Sequence, residues 1–387
     1  MTSINIFGST GTIGSKSLLI INKYFSNIKI NLLMANTNYK KLAKQSLLYN
    51  PKAICLTDES KYLKLKNELS NSKLKILVSD EIPGYLNNTK SDMSILCVSG
   101  YSSLTYINEI ISNTKILGIV SKECIIIGGN IIKNLCDKYN TKLYALDSEH
   151  FSIQEFFYRN LNFNNNFIKK LFITASGGPF LGKSYKEIKK VKFYDAMKHP
   201  KWKMGIKNSI DSATLVNKCL EIIEAHYLFG INYERLDMII HPESLIHSII
   251  ELNNHTSNLN YFYHDMFIPI YNFLTSANES KSNKIFNNKK FDFKKNTSLN
   301  FYTPNYRKFP VLQIFDNMDK SMTENIINFN FGNELAVKLF SEDKIRFIDI
   351  PRIIEKSLSI KLDFKLNTIE NIFIYQNELI NKLKIYV

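Results

Sequence analysis

The chain lacks most of what would make it a stapled, membrane-spanning or base-reading protein. Its 387 residues include only five cysteines, Cys55, Cys97, Cys124, Cys136 and Cys219. They are odd in number, scattered, and form no C-x-x-C pair. That pattern excludes a disulfide framework and points to buried free thiols in a reducing compartment. No apolar run approaches the ~18 residues of a membrane helix. Nor does a basic leader with a small-residue cleavage site precede the first apolar segment. A soluble, cytoplasmic chain with no membrane partner is expected. Arginine is also scarce: Arg159, Arg235, Arg307, Arg346 and Arg352 are the only ones among 50 basic residues. The net charge of +15 is therefore mostly lysine, mixed with Asn, Ile, Tyr and Phe. A protein that reads bases concentrates arginine and aromatics on one face. No nucleic-acid partner is expected, and a basic surface suits a small anionic substrate.

With 44% hydrophobic and 12% aromatic residues, the chain can bury two or three domain cores. Short apolar runs at Ile4–Phe7, Lys29–Ala35, Ala53–Leu56, Ser94–Val98, Lys115–Val120 and Leu143–Leu146 alternate with helix-like stretches such as Ser15–Tyr24. Strands alternating with helices predict an α/β domain over 1–147, a Rossmann-like parallel sheet covered by helices. Further strands at Leu171–Thr174 and Met238–Ile240, with a helix opening near Ser212, predict an α+β catalytic domain over 148–275. Residues 276–300, rich in Asn, Lys and Ser, read as a linker. Helical spacing of Leu335, Leu339 and Phe340, then of Ile353, Ile354 and Leu358, predicts a C-terminal α-helical domain over 301–387.

Three clusters carry chemistry. Gly8-Ser9-Thr10-Gly11-Thr12-Ile13-Gly14 follows the first strand and opens the first helix. Glycines there let the backbone approach a pyrophosphate, and a helix N-terminus supplies free N–H donors. The plainer reading is an ordinary tight turn. An acid after the second strand would favour NAD. Asn36-Thr37-Asn38 stands there instead, with Lys40 and Lys41 close behind. In Asp147-Ser148-Glu149-His150, an extended backbone would point both carboxylates the same way. They are then either two exposed loop acids or part of a metal site. On a helix after Ser212, Leu215, Val216, Cys219, Leu220 and Ile223 make an apolar stripe, and Asn217, Lys218 and Glu221 fall on the opposite side. That is either a capped amphipathic helix or an N-terminal phosphate site, with Glu221 as a third carboxylate. Oxygen ligands of this kind suit Mg²⁺ or Mn²⁺. Ser176-Gly177-Gly178 is a further anion-friendly turn.

Taken together and in order, these motifs are recognisable. After the glycine turn and the D-S-E-H segment come Ser176-Gly177-Gly178-Pro179-Phe180, then His199-Pro200-Lys201-Trp202-Lys203-Met204-Gly205. Asp211-Ser212-Ala213-Thr214 through Asn217, Lys218 and Glu221 follow. Then come His241-Pro242-Glu243-Ser244 with His247-Ser248, Gly332-Asn333-Glu334 and Ile345-Arg346-Phe347. The chain resembles the 1-deoxy-D-xylulose 5-phosphate reductoisomerase family of the non-mevalonate isoprenoid pathway. The resemblance implies a bacterial cytoplasmic enzyme, a homodimer of V-shaped subunits, that uses NADPH and a divalent metal (Mg²⁺, Mn²⁺ or Co²⁺). The family isomerises 1-deoxy-D-xylulose 5-phosphate, a small phosphorylated sugar, and reduces the product to 2-C-methyl-D-erythritol 4-phosphate.

Carried over by motif, the metal ligands are Asp147, Glu149 and Glu221, which with Lys122 are the catalytic set. The substrate residues are Lys122, Ser148, Glu149, Ser176, His199, Ser212, Asn217, Lys218 and Ser244. The cofactor residues are Gly8, Ser9, Thr10, Gly11, Thr12, Ile13, Asn36, Thr37, Asn38, Ser121, Glu123 and Gly205. Trp202 and Met204 fall on the closing loop. Three departures stand out. Asn36-Thr37-Asn38 replaces the family's Gly-Lys-Asn, Ser121-Lys122-Glu123-Cys124 replaces Asn-Lys-Glu-Ser, and Ile206 replaces an arginine. The alternatives are another metal-assisted NAD(P) oxidoreductase acting on a phosphorylated sugar, or a catalytically dead relative.

Overall fold

The apolar runs near the N-terminus become seven parallel strands whose residues are mostly buried, which suits a sheet covered on both faces. They are β1 (Ser3–Phe7), β2 (Lys29–Ala35), β3 (Ala53–Leu56), β4 (Lys75–Leu77), β5 (Ser91–Leu96), β6 (Thr114–Ile119) and β7 (Lys142–Ala145). The computed structural model describes residues 2–160, 163–202, 204–276 and 298–385. The sheet order is β4-β3-β2-β1-β5-β6-β7. The chain thus runs outward from β1 on one side, then starts again at β5 on the other. In open sheets of this kind ligands bind at this reversal, beyond the carboxyl ends of the strands.

Contacts divide the chain into two compact units. The first holds this sheet: Met1–Cys124, Asn130–Phe151 and the segment from Asp265 that includes the helix Phe267–Ser276. That late helix packs on Thr12–Tyr24: Tyr24 meets Phe267 edge-on at 5.6 Å and Tyr271 at 5.8 Å, and Lys16 pairs with Asp265 at 2.5 Å. It also covers β6 where Gly118 leaves room. A Cβ there would lie 2.5 Å from Leu146 Cδ1 and 2.9 Å from Phe273 Cε2.

The second unit holds a four-stranded sheet of order β11-β10-β8-β9, from β8 (Ile168–Ala175), β9 (Leu236–Ile240), β10 (Ile246–Leu252) and β11 (Ser257–Tyr261). β8 and β9 are parallel; β10 runs antiparallel to β8 and β11. The C-terminal helices belong to this unit. Helix Thr323–Ser341 is buried nearly all round. Gly332 lets helix Ile350–Ser359 come close: a Cβ there would sit 2.2 Å from Ser357 Oγ. Asn333 ties the helix to Ile206–Thr214 through a 2.8 Å hydrogen bond to Asp211.

The strands expected from apolar runs all form, within a few residues of the expected limits. β4, β10 and β11 were not expected. β10 mixes apolar and polar residues without a regular period, β11 is mostly polar, and β4 is three residues long. The expected linker lies almost wholly outside the described residues, as does Lys203. The cysteines are free, and all but Cys97 are buried. Burial, helped by the charges of Glu81 and Glu59, pushes the Cys55 thiol up to about 12.

Gly118→Ala is expected to destabilise the protein by ~1–3 kcal/mol through overpacking against Leu146 and Phe273. Thermal or urea denaturation measures this; an unshifted midpoint would mean that the helix Phe267–Ser276 yields without strain.

Candidate active site

In the first unit, every predicted residue lies just past the carboxyl end of a parallel strand. The glycine turn follows β1. Gly8 has φ +88°, and a Cβ there would lie 2.7 Å from the carbonyl oxygen of Cys97, past the end of β5. A Cβ on Gly14 would lie 2.4 Å from the Gly8 carbonyl. Only hydrogen fits at either place, so the helix Thr12–Tyr24 starts tight against the turn. Gly11 is its N-cap and offers no side-chain cap, which leaves the first amides of Thr12 and Ile13 for an anion. Ser9 is buried; its hydroxyl donates to Gln45 Oε1 (2.9 Å), and Gln45 returns a bond to the Ser9 carbonyl (2.9 Å). Thr10 receives Lys41 Nζ on its carbonyl at 2.8 Å. Beyond β2, Asn36, Thr37 and Asn38 are exposed. This is a cradle that a dinucleotide phosphate fits.

Beyond β6, Ser121, Lys122 and Glu123 open the helix Lys122–Tyr139, and all three are buried. The Ser121 hydroxyl sits between the Gly100 carbonyl and Glu123 Oε2. Cys124 lies 3.3 Å from the Ser103 hydroxyl. Ser121 and Cys124, the two changed residues of this motif, are thus both taken up by the 100–103 segment.

Beyond β7, the D-S-E-H segment is not extended. Ser148 begins the helix Ser148–Arg159, so Asp147 caps it and Glu149 lies in its first turn. Asp147 Oδ1 accepts the backbone N–H of His150 at 2.7 Å and lies 2.7 Å from its Nδ1. Ser148, which is buried, donates to Glu149 Oε2 at 2.5 Å. The i,i+3 cap spacing, rather than strand alternation, is the signal to read here. It would also have drawn attention to His150, to which the motif reading gave no role.

In the second unit, the helix near Ser212 also departs from expectation. Ser212 lies in the last turn of Ile206–Thr214, not at a helix start. Leu215 takes φ +66° and ends that helix, and a second one, Val216–Phe229, begins at once. Ser212 is therefore not at a helix N-terminus. Ser212 instead meets the Ser176-Gly177-Gly178 turn after β8. Gly177 and Gly178 have φ +83° and +64°, and a Cβ on Gly178 would lie 2.7 Å from the Ser212 carbonyl.

The polar side of Val216–Phe229 is not solvated. Lys218 and Glu221 are both buried, and Lys218 Nζ donates to Glu221 Oε2 at 2.5 Å. Asn217 Nδ2 donates to the other oxygen of Glu221. The carboxylate is thus saturated on the helix side and held in one orientation.

His199 has a fixed tautomer. Its Nδ1 accepts the backbone N–H groups of Lys201 (3.2 Å) and Trp202 (2.9 Å), so the proton of the neutral ring sits on Nε2. Nε2–H then donates to Ser176 Oγ at 3.1 Å, which also accepts from Gly178 N (3.2 Å). Two bonds accepted leave the Ser176 hydroxyl proton to be donated to an anion. Trp202 stacks edge-on against His264 at 5.8 Å, Met204 is half-buried, and Gly205 caps the helix Ile206–Thr214. Ser244, after β9, has φ +54°, and its buried hydroxyl bonds to nothing among the described residues. Buried orphan hydroxyls are uncommon, and strained backbone concentrates at functional sites.

Gly8→Ala is expected to cost ~1–3 kcal/mol from the left-handed backbone alone and to abolish dinucleotide binding. Denaturation and titration of nucleotide fluorescence measure the two effects; retained affinity would show that the turn is only a turn.

Three sequence-family models match the chain: 1-deoxy-D-xylulose 5-phosphate reductoisomerase over residues 4–129, the C-terminal domain of that enzyme over 143–229, and a DXP reductoisomerase C-terminal domain over 263–381. A 1-deoxy-D-xylulose 5-phosphate reductoisomerase of Pelagibacter ubique is 42% identical over 92% of this chain and 90% of its own length. One of Ehrlichia canis is 35% identical over 96% and 95%. Among solved structures, the Zymomonas mobilis enzyme in complex with NADPH superposes with a TM-score of 0.89 at 29% identity, covering 100% of this chain and 98% of that one. A DOX-P reductoisomerase in complex with NADPH, fosmidomycin and magnesium gives 0.90 at 28%, covering 99% and 98%. The glycine cradle, the carboxylate and serine motifs and these whole-length matches agree, and the chain belongs to the 1-deoxy-D-xylulose 5-phosphate reductoisomerase family.

Proposed function

We infer that the chain converts 1-deoxy-D-xylulose 5-phosphate to 2-C-methyl-D-erythritol 4-phosphate with NADPH and a divalent metal, in the non-mevalonate route to isoprenoids. The observation that carries this reading is the match to reductoisomerases along more than nine-tenths of the chain, with Asp147, Glu149, Glu221, Lys122, Ser148, Ser176, Ser212, Lys218 and Ser244 all in place. A phosphosugar oxidoreductase of another kind, or a dead relative, is not favoured.

Asp147, Glu149 and Glu221 are the residues assigned to the metal, Mg²⁺, Mn²⁺ or Co²⁺; three carboxylates are a donor set for a hard cation. When bound, the metal supplies Lewis acidity to neighbouring substrate oxygens as the carbon skeleton rearranges, and NADPH supplies the hydride. The chain's own residues do the rest. Lys122 and Ser148 are assigned to the reacting end of the substrate. Ser176, Ser212, Asn217 and Lys218, with His199 and Ser244, are assigned to holding it by its phosphate end. Binding energy at that remote phosphate orients the reacting carbons. His199 keeps the Ser176 proton aimed outward, and the loop bearing Trp202 and Met204 excludes water from the aldehyde. Gly8 to Ile13, with Asn36 to Asn38, Ser121, Glu123 and Gly205, are assigned to the dinucleotide. The functional division is a nucleotide-binding region over 1–147, a catalytic region over 148–275 and a helical region over 301–387. No helix among the described residues is long and apolar enough to cross a membrane. A cytoplasmic homodimer is the form that the family resemblance implies.

Two substitutions test the assignment. Glu221→Gln keeps the shape but removes the charge that Lys218 faces. Turnover is expected to fall by more than the ~10–100-fold that loss of an outer-shell partner costs, with NADPH affinity unchanged. Steady-state kinetics and nucleotide titration measure the split, and unchanged turnover removes Glu221 from the metal. His199→Asn keeps an acceptor for the loop amides but loses the donor to Ser176. It is expected to lower kcat/KM for the phosphosugar about tenfold; an unaltered kcat/KM would remove Ser176 from the phosphate clamp.

A further inference from the structure

How a chain without the family's lysine at position 37 recognises the 2′-phosphate of NADPH can be read from the first unit, given that this unit binds NADPH as proposed above. The turn after β2 offers no cation: it carries only neutral side chains, several of whose acceptors hold the turn in place. Asn36 Oδ1 accepts from the Thr57 hydroxyl (3.0 Å), and its carbonyl accepts from Asp58 N (3.3 Å). The Thr37 carbonyl accepts from Tyr39 N (3.0 Å). Asn38 Oδ1 caps the helix Tyr39–Tyr49 by accepting the N–H of Lys41 (3.1 Å).

That cap fixes where Lys41 leaves the helix. Its ammonium turns to the glycine turn and donates to the Thr10 carbonyl at 2.8 Å. One of its three N–H donors is used, and two are left for an anion. Among the described residues no carboxylate neutralises Lys41. Asp58, the first acid after β2, is tied to Lys61 at 3.1 Å and to the Ser60 hydroxyl at 2.5 Å. A free acid at the end of β2, which would bond the ribose hydroxyls of NADH and repel a 2′-phosphate, is therefore missing. Lys41 joins an uncompensated positive charge to the loop that cradles the pyrophosphate.

We propose that Lys41 supplies the positive charge that binds the 2′-phosphate and so sets the preference for NADPH over NADH. A lysine acts as a point charge on a flexible stem, so it serves a phosphate from the first turn of the helix as well as from the preceding loop.

The test is equilibrium titration of the full chain with NADPH and with NADH, followed by nucleotide fluorescence, without substrate or metal. Lys41→Met is expected to weaken NADPH about tenfold while changing NADH by less than about twofold, and to flatten the salt dependence of NADPH binding. Lys41→Arg is expected to keep the preference, and Thr37→Lys in the Lys41→Met background to restore it. Equal weakening of both nucleotides would mean that Lys41 only braces the glycine turn, and would overturn the proposal. So would a loss of preference in Lys40→Met but not in Lys41→Met. A folded wild-type chain that binds neither nucleotide would instead sink the reductoisomerase reading, on which this inference rests.

Discussion

The second unit is organised around a charge pair that stability alone does not explain. Lys218 and Glu221 are buried, with Nζ 2.5 Å from Oε2. Taking two ions out of water costs several kcal/mol each, and apolar side chains of similar volume often do as well or better. Their attraction offsets that cost only in good geometry, which the second hydrogen bond from Asn217 helps to provide. The pair in turn depends on Leu215. Its φ of +66° separates Ile206–Thr214 from Val216–Phe229. On one continuous helix Ser212 and Lys218 would be about 120° apart around the axis. The break frees Ser212 to meet the Gly177-Gly178 turn while Lys218 and Glu221 start a new helix. Both a left-handed leucine and a buried ion pair are unfavourable locally, and each is maintained by the packing around it.

The first unit solves a different problem, that of presenting backbone donors to a large anion. Parallel strands deliver their carboxyl ends to one edge, and loops at that edge are anchored by buried strands on both sides. Gly8 and Gly14 allow the loop after β1 to fold flat against its own helix. Neither position tolerates a Cβ without displacing backbone. The carboxylates follow the same logic at β7, where a helix start rather than a strand fixes Asp147 and Glu149, and the Asp147 cap orients His150.

Much of this was legible in the sequence, and the failures share a cause. The glycine turn and the buried strands could be read because their signals lie within a few adjacent residues. The assignment of site residues rests on the resemblance, because composition and spacing alone leave most of them open. The D-S-E-H segment reads as extended from sequence because two acids at i and i+2 suit a strand as well as a helix start. The break at Leu215 was invisible because no glycine or asparagine marks it; only the tertiary packing imposes that φ. The polar side of Val216–Phe229 stays ambiguous in sequence, since periodicity cannot tell an exposed lysine from one paired in the interior. β10 is hard to read because its buried residues include His247 and Ser248, and β11 because it buries no residue fully.

The pattern of departures from the family also has a physical order. A position whose task is to have no side chain cannot be compensated from elsewhere, and Gly8 and Gly14 stand where the family has them. A position whose task is a hydrogen bond within its own loop can change if a neighbour takes up the new group. Ser121 turns to the Gly100 carbonyl and Cys124 to the Ser103 hydroxyl. A position whose task is charge is the most replaceable, because charge acts over several ångströms, up to a Debye length of about 8 Å at physiological salt. The cation absent at residue 37 can therefore be supplied four residues later, from a helix that Asn38 caps and whose Lys41 already touches the glycine turn. In a lysine-rich chain such relocation needs no new residue type, only a side chain held at the right turn of the helix.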